Sequence, residues 1–240
     1  MKNQIFISIS MLLILAVSPL TMAFASTSSD DDFLDIREAT IDATSEEMSA
    51  FLETHGHIPT NGDGGAFGYG VLTTEGLDAV VVSTTHAGVQ DSEEQTNTND
   101  PVWHNHFVTL AQDSDNCGND LKVEAITSQS PGQVDVNDNN ADLTEIPASF
   151  SGTDALSGDD LTIEPGTDVD DVVSFKLAPQ FNDDDELEAV CVTDIKSAES
   201  IVFDNGNGNS NSDGRNNDES SNDEDNGATQ GIGQSQSTSQ

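Results

Sequence analysis

The chain has 240 residues, 45 acidic side chains against 6 basic ones, and a formal net charge of −39. After Lys2, the basic residues Arg37, Lys122, Lys176, Lys196 and Arg215 are scattered singly, so no basic patch exists to neutralise phosphates or anionic headgroups, and nucleic acid is excluded as a partner. Acidity of this kind suits a salty solvent, where a Debye length of about 8 Å at 0.15 M salt relieves self-repulsion.

In chain order, residues 1–25 combine a basic start at Lys2, an apolar run from Ile5 to Val17 and the small-residue site Ala23-Phe24-Ala25. This pattern predicts a cleavable signal peptide and a protein that is secreted or held on the extracellular face of the cell envelope. The apolar run falls short of the roughly 20 residues of a membrane-spanning helix, and no later segment is apolar enough, so no integral membrane segment is expected in the mature chain.

Near 45–55 the sequence predicts a short helix: Thr44 and Glu47 match a capping box, Met48, Phe51 and Leu52 fall on one helical stripe, and Gly56 follows as a stop. The periodicity then changes to two, with Phe67, Tyr69 and Val71 alternating against glycines, followed after Glu75-Gly76 by a valine- and threonine-rich run from Leu77 to His86. Further strands are expected at 101–111, 120–128, 133–137, 160–164, 171–178, 187–195 and 200–203, separated by Asn, Asp, Gly and Pro clusters. The predicted class is all-β, a mainly antiparallel β-sandwich of about seven to nine short strands over residues 26–203, with the one N-terminal helix. Residues 204–240 are Asn, Gly, Ser, Asp and Gln with little to bury, which predicts a disordered acidic tail.

Two cysteines, Cys117 and Cys191, are expected to pair in an oxidising exterior. The main chemical signal is histidine. All five, His55, His57, His86, His104 and His106, lie within one short stretch. Alternation along the strand from Pro101 to Ala111 puts Val102, His104, His106, Val108 and Leu110 on one face and Trp103, Asn105 and Phe107 on the other. Two imidazoles pointing the same way, joined by His86 from the end of the preceding strand, make a three-nitrogen site suited to copper or zinc. Asp91 and Asp100, from the intervening loop, are secondary candidates as a further ligand or support. His55 and His57, which flank Gly56, are also secondary, because a histidine at a helix end already has a dipole to interact with.

A weaker calcium pattern begins at Asp113 and continues through Asp115 and Gly118 to Glu124, matching parts of the twelve-residue calcium loop, though Cys117 takes a position that needs an oxygen ligand. No Gly-x-Ser-x-Gly elbow, phosphate loop, dinucleotide fingerprint or His-Glu-x-x-His helix occurs, and no catalytic residue is nominated. The expected function is a secreted or cell-surface acidic β-sandwich binding module that holds copper or zinc, with cell-envelope components as further partners. The alternatives are a structural or adhesive envelope protein without metal and a metal-dependent extracellular enzyme.

Overall fold

The computed structural model describes residues 31–184 and 186–204. The expected signal peptide, residues 1–25, and the expected tail from residue 205 onward lie outside them. After a 3-10 turn at Asp32–Leu34 the chain forms strands β1 (Ile36–Ala43), β2 (Glu47–Thr54), β3 (Phe67–Thr73), β4 (Val80–Thr85), β5 (His104–Gln112), β6 (Leu121–Ile126) and β7 (Gln133–Asn137). There follow β8 (Asn140–Pro147), β9 (Phe150–Thr153), β10 (Asp160–Ile163), β11 (Val169–Phe181), β12 (Leu187–Ser197) and β13 (Ile201–Phe203). The protein is all-β. No helix among the described residues is long and apolar enough to cross a membrane.

The expected helix over 45–55 is a strand. Thr44 Oγ1 accepts the amides of Glu46 and Glu47, both at 3.2 Å, as a helix cap would. The Thr44 amide also donates to the Glu47 carbonyl at 2.9 Å, which closes a hairpin turn between β1 and β2 instead. Burial then follows a period of two, with Met48, Ala50, Leu52 and Thr54 inside and Phe51 exposed. The spacing of Met48, Phe51 and Leu52 fits a helical stripe only because an exposed phenylalanine happens to complete it.

Six strands close into a barrel in the order β11-β12-β6-β5-β4-β3, and a five-stranded sheet, β13-β1-β2-β8-β7, forms a second layer. Two β layers share a core, as in a sandwich, but one of them is closed on itself. The shared core joins Ile36, Ala39, Ile41, Leu52 and Leu143 of the sheet to Phe67, Tyr69, Val71, Val81 and Phe107 on the outer face of the barrel. At one end of it Tyr69 stacks on Trp103, with ring centroids 5.7 Å apart. The Tyr69 hydroxyl donates to the Phe33 carbonyl at 2.8 Å, and burial raises its pKa, keeping it a donor. A second apolar cluster lines the inside of the barrel, built from Val80, Val82, Val108, Val123, Val173, Phe175 and Val192.

Alternation assigns each barrel strand its two faces. In β3, Phe67, Tyr69 and Val71 pack toward the sheet, so Gly68 and Gly70 face the interior. A Cβ at Gly68 would run into the Ser83 carbonyl and the Phe175 ring, which explains the glycine. The barrel's hydrogen-bonded seam is shortest between β12 and β6, where the paired residues are Cys191 with Lys122 and Val192 with Leu121. There the disulfide Cys117–Cys191, with Cα atoms 5.5 Å apart, ties the β5–β6 turn to β12.

Candidate metal centre

β4 and β5 pair antiparallel, with Thr84 opposite His104 and Val82 opposite His106. The side chains of Val80, Val82 and Thr84 therefore share the interior face with His104, His106 and Val108, and His86 follows one alternation beyond Thr84. All three histidines are buried, with exposures of 5, 0 and 0 % for His86, His104 and His106. Their rings meet edge to face, with centroids 5.1 Å apart for His86 and His104 and 4.7 Å for His104 and His106.

The loop from β4 to β5 brings in a carboxylate. Asp91 Oδ2 lies 3.2 Å from His86 Nε2, and Oδ1 lies 3.5 Å from His104 Nε2 and 3.7 Å from His106 Nε2. One ligand atom from each of these four residues falls within 4.8 Å of the others. The loop is shaped by the buried side chain of Gln95. Its Oε1 accepts the amides of Asp91 at 3.1 Å and Ser92 at 3.3 Å, while its Nε2 donates to the carbonyls of Val89 at 3.2 Å and Asp100 at 3.3 Å.

The far sides of two rings fix their tautomers. His104 Nδ1 lies 2.8 Å from the Val102 carbonyl and His106 Nδ1 lies 2.6 Å from the Thr127 carbonyl. A carbonyl only accepts, so each Nδ1 carries the proton and each Nε2 presents a lone pair to Asp91. The three Nε2 atoms and Asp91 Oδ1 are buried and have no hydrogen-bond partner of acceptable geometry. Acceptors facing acceptors in a buried place are costly until a cation or protons sit between them.

Charge follows the same pattern. Burial works to raise the Asp91 pKa, but once protons on the His104, His106 and His86 rings point at it they outweigh burial and hold the carboxyl well below the usual range, and a cation in the same place acts in the same direction. For His104, burial dominates and lowers the pKa against the opposing pull of Asp91, so the neutral ring is favoured. An ionised Asp91 beside a neutral His104 ring is the protonation pattern a metal ion requires of those two ligands.

The remaining sequence candidates lie elsewhere. His55 Nε2 pairs with Glu199 at 3.1 Å and His57 Nδ1 with Asp138 at 2.8 Å, both at exposed positions on the sheet layer. Because β2 is a strand, the helix-end account of His55 and His57 fails with the helix. Asp100 closes the β4–β5 loop by accepting the Thr96 amide at 2.9 Å and its hydroxyl at 2.6 Å, and is not in the cluster.

The structure does not bring the calcium candidates Asp113, Asp115 and Glu124 together. Asp113 accepts the amides of Asp115 and Asn116, both at 3.1 Å, and binds Lys122 Nζ at 2.9 Å, which is a hairpin turn with its own cation. Lys122 above all holds the Asp113 carboxyl below the usual carboxylate range. Among the described residues, His86, Asp91, His104 and His106 are the group in which three or more such donors converge. Gln95 and the Thr127 carbonyl were outside the sequence expectation, since nothing in a one-dimensional pattern marks a glutamine as the fastener of a loop.

Comparison of the chain with protein-family models, with curated protein sequences and with solved structures finds no match, so the site is read from its own geometry.

Proposed function

We propose that the protein is an exported, acidic β-barrel module that binds one transition-metal ion, copper or zinc, through Nε2 of His86, His104 and His106 with Asp91 as the fourth ligand. The observation that supports this most is that the Nε2 atoms of His86, His104 and His106 gather around one carboxylate, buried and without hydrogen-bond partners. Ligands about 2.0–2.1 Å from a tetrahedral ion stand roughly 3.3 Å apart; His104 and His106 Nε2 lie 3.5 and 3.7 Å from Asp91 Oδ1, His86 Nε2 lies 3.2 Å from Oδ2, and one donor atom from each residue falls within 4.8 Å of the others. Imidazole with a single carboxylate suits borderline first-row ions, whereas calcium and magnesium take oxygen ligands. Export is supported by the leader-like residues 1–25 and by the disulfide, which persists in an oxidising compartment.

The test is metal analysis of protein exported from cells and purified without a histidine tag. One copper or zinc ion per chain is expected. The variants His104→Ala and His106→Ala are expected to lose the ion while the far-ultraviolet spectrum stays that of a β protein. Metal-free protein after exposure to both ions, or unchanged metal content in either variant, overturns the reading.

A further inference from the structure

The barrel has an interior cavity of about 100 Å³ that shares two residues with the metal centre, Asp91 and His106. All six barrel strands line it with residues of the inward parity, among them Leu72, Val82, Val108, Val123, Phe175 and Val190. Three further lining residues, Leu77, Leu156 and Ile195, are 39, 49 and 48 % exposed, so the cavity reaches solvent through an apolar rim. Large side chains left half in water at the entrance of an apolar chamber are a feature of binding sites, not of a sealed core.

The polar side chains in the lining are Thr84, Asp91 and His106. Thr84 is already committed, because its hydroxyl donates to the Phe67 carbonyl at 2.8 Å. That leaves Asp91 Oδ1 and His106 Nε2, both buried and both without a hydrogen-bond partner, as the atoms with free capacity at the inner end. The cavity is therefore apolar along its length and ends at the metal centre.

We infer that this chamber binds a small amphipathic anion, an apolar body of about four to six carbons with one carboxylate head, whose oxygen reaches the ion held by the histidines. The inference rests on the metal reading. With neutral imidazoles and one carboxylate, a divalent ion leaves the centre with a positive charge, which attracts an anionic oxygen. An ion held firmly by the three imidazoles takes the anionic oxygen either in place of the loop-borne Asp91 or by expanding from four ligands to five. The body's size follows from the volume, since a dry apolar cavity of about 150 Å³ holds benzene and also takes up xenon, and a chain protruding past Leu77 and Leu156 needs less. A neutral hydrocarbon would fill the chamber without using its inner end, and a larger anion would clash with the valines of the wall.

Two probes separate the parts of the inference, in one protein sample whose metal content is measured. Xenon, followed by its magnetic resonance shift, reports the chamber with or without metal. Hexanoate, followed by calorimetry and by the visible spectrum of the cobalt-substituted protein, reports the head group at the ion. Xenon is expected to bind in both forms and hexanoate only in the metal-loaded form, with a change in the cobalt bands. Val123→Phe, which fills the chamber away from the ligands, is expected to keep its metal and lose hexanoate affinity by about ten-fold or more. Should that variant fail to fold, Leu72→Phe serves the same purpose from another strand. No hexanoate binding by protein carrying one ion per chain overturns this inference alone, as does binding that leaves the cobalt spectrum unchanged. A sample that takes up no metal overturns both this inference and the reading it rests on.

Discussion

Gln95 carries more of the candidate site than its position in a polar loop suggests. Its four hydrogen bonds set the path of the loop that presents Asp91, and no metal donor of its own is involved. Gln95→Ala leaves the buried amide of Ser92 and the carbonyl of Val89 without their partner, at a cost of about 1–3 kcal/mol. Because the three histidines stay in place, the ion is expected to be retained but held about 10–100-fold less tightly, as for other residues that orient a ligand. Competition with a chelator of known affinity measures this, and an affinity equal to that of the native protein excludes the positioning role. The histidine pair itself was legible in the sequence, since strict alternation through His104-Asn105-His106 puts two rings on one face wherever the strand lies. The third ring was legible from the end of β4. Asp91 was one of two aspartates in that loop, and choosing it over Asp100 needed the loop's fold, in which Asp100 is used up by Thr96.

Among the elements, those rich in valine, threonine and aromatic residues between clear turn clusters were the easiest to read: β3, β4, β5, β6, β7, β10, β11, β12 and β13 all fall at or near their expected places. β8 was missed because its pattern is broken. Leu143 pairs with Ala50 and Ile146 with Met48, so the two intervening residues, Thr144 and Glu145, bulge, and Glu145 adopts a φ of 56°. β1 and β2 were hidden by a threonine cap that serves a hairpin as well as a helix. The disulfide was legible as a pair but not in its role, which is to brace the barrel where the β12–β6 ladder is only two residue pairs long. Replacing Cys117 and Cys191 by serine together is expected to lower stability by about 2–4 kcal/mol, read as a lower denaturant midpoint. A double variant as stable as the native protein would mean that the ladder holds the seam unaided.

At the scale of the whole molecule, a net charge of −39 on 240 residues opposes compaction at low ionic strength. Basic partners are few, and those described are at the surface, as in Lys176 with Asp31 at 2.8 Å and Lys196 with Asp35 at 2.7 Å. Local pairing of this kind is worth little, so screening by salt has to relieve most of the repulsion. The melting temperature is expected to rise steadily between dilute buffer and molar sodium chloride, and a flat or falling profile would show that charge repulsion does not limit stability. The division of labour between barrel and loop has a consequence for time. Three of the four donors stand on or at the end of strands locked into a closed ring, and the fourth hangs from the β4–β5 connection. Exchange of a bound ion then needs only the swing of one loop, a motion of nanoseconds to microseconds when unhindered, while the ring stays shut. For an ion bound as proposed, a stiffer hinge slows entry and release alike and lengthens residence, while the affinity stays with the four donors together.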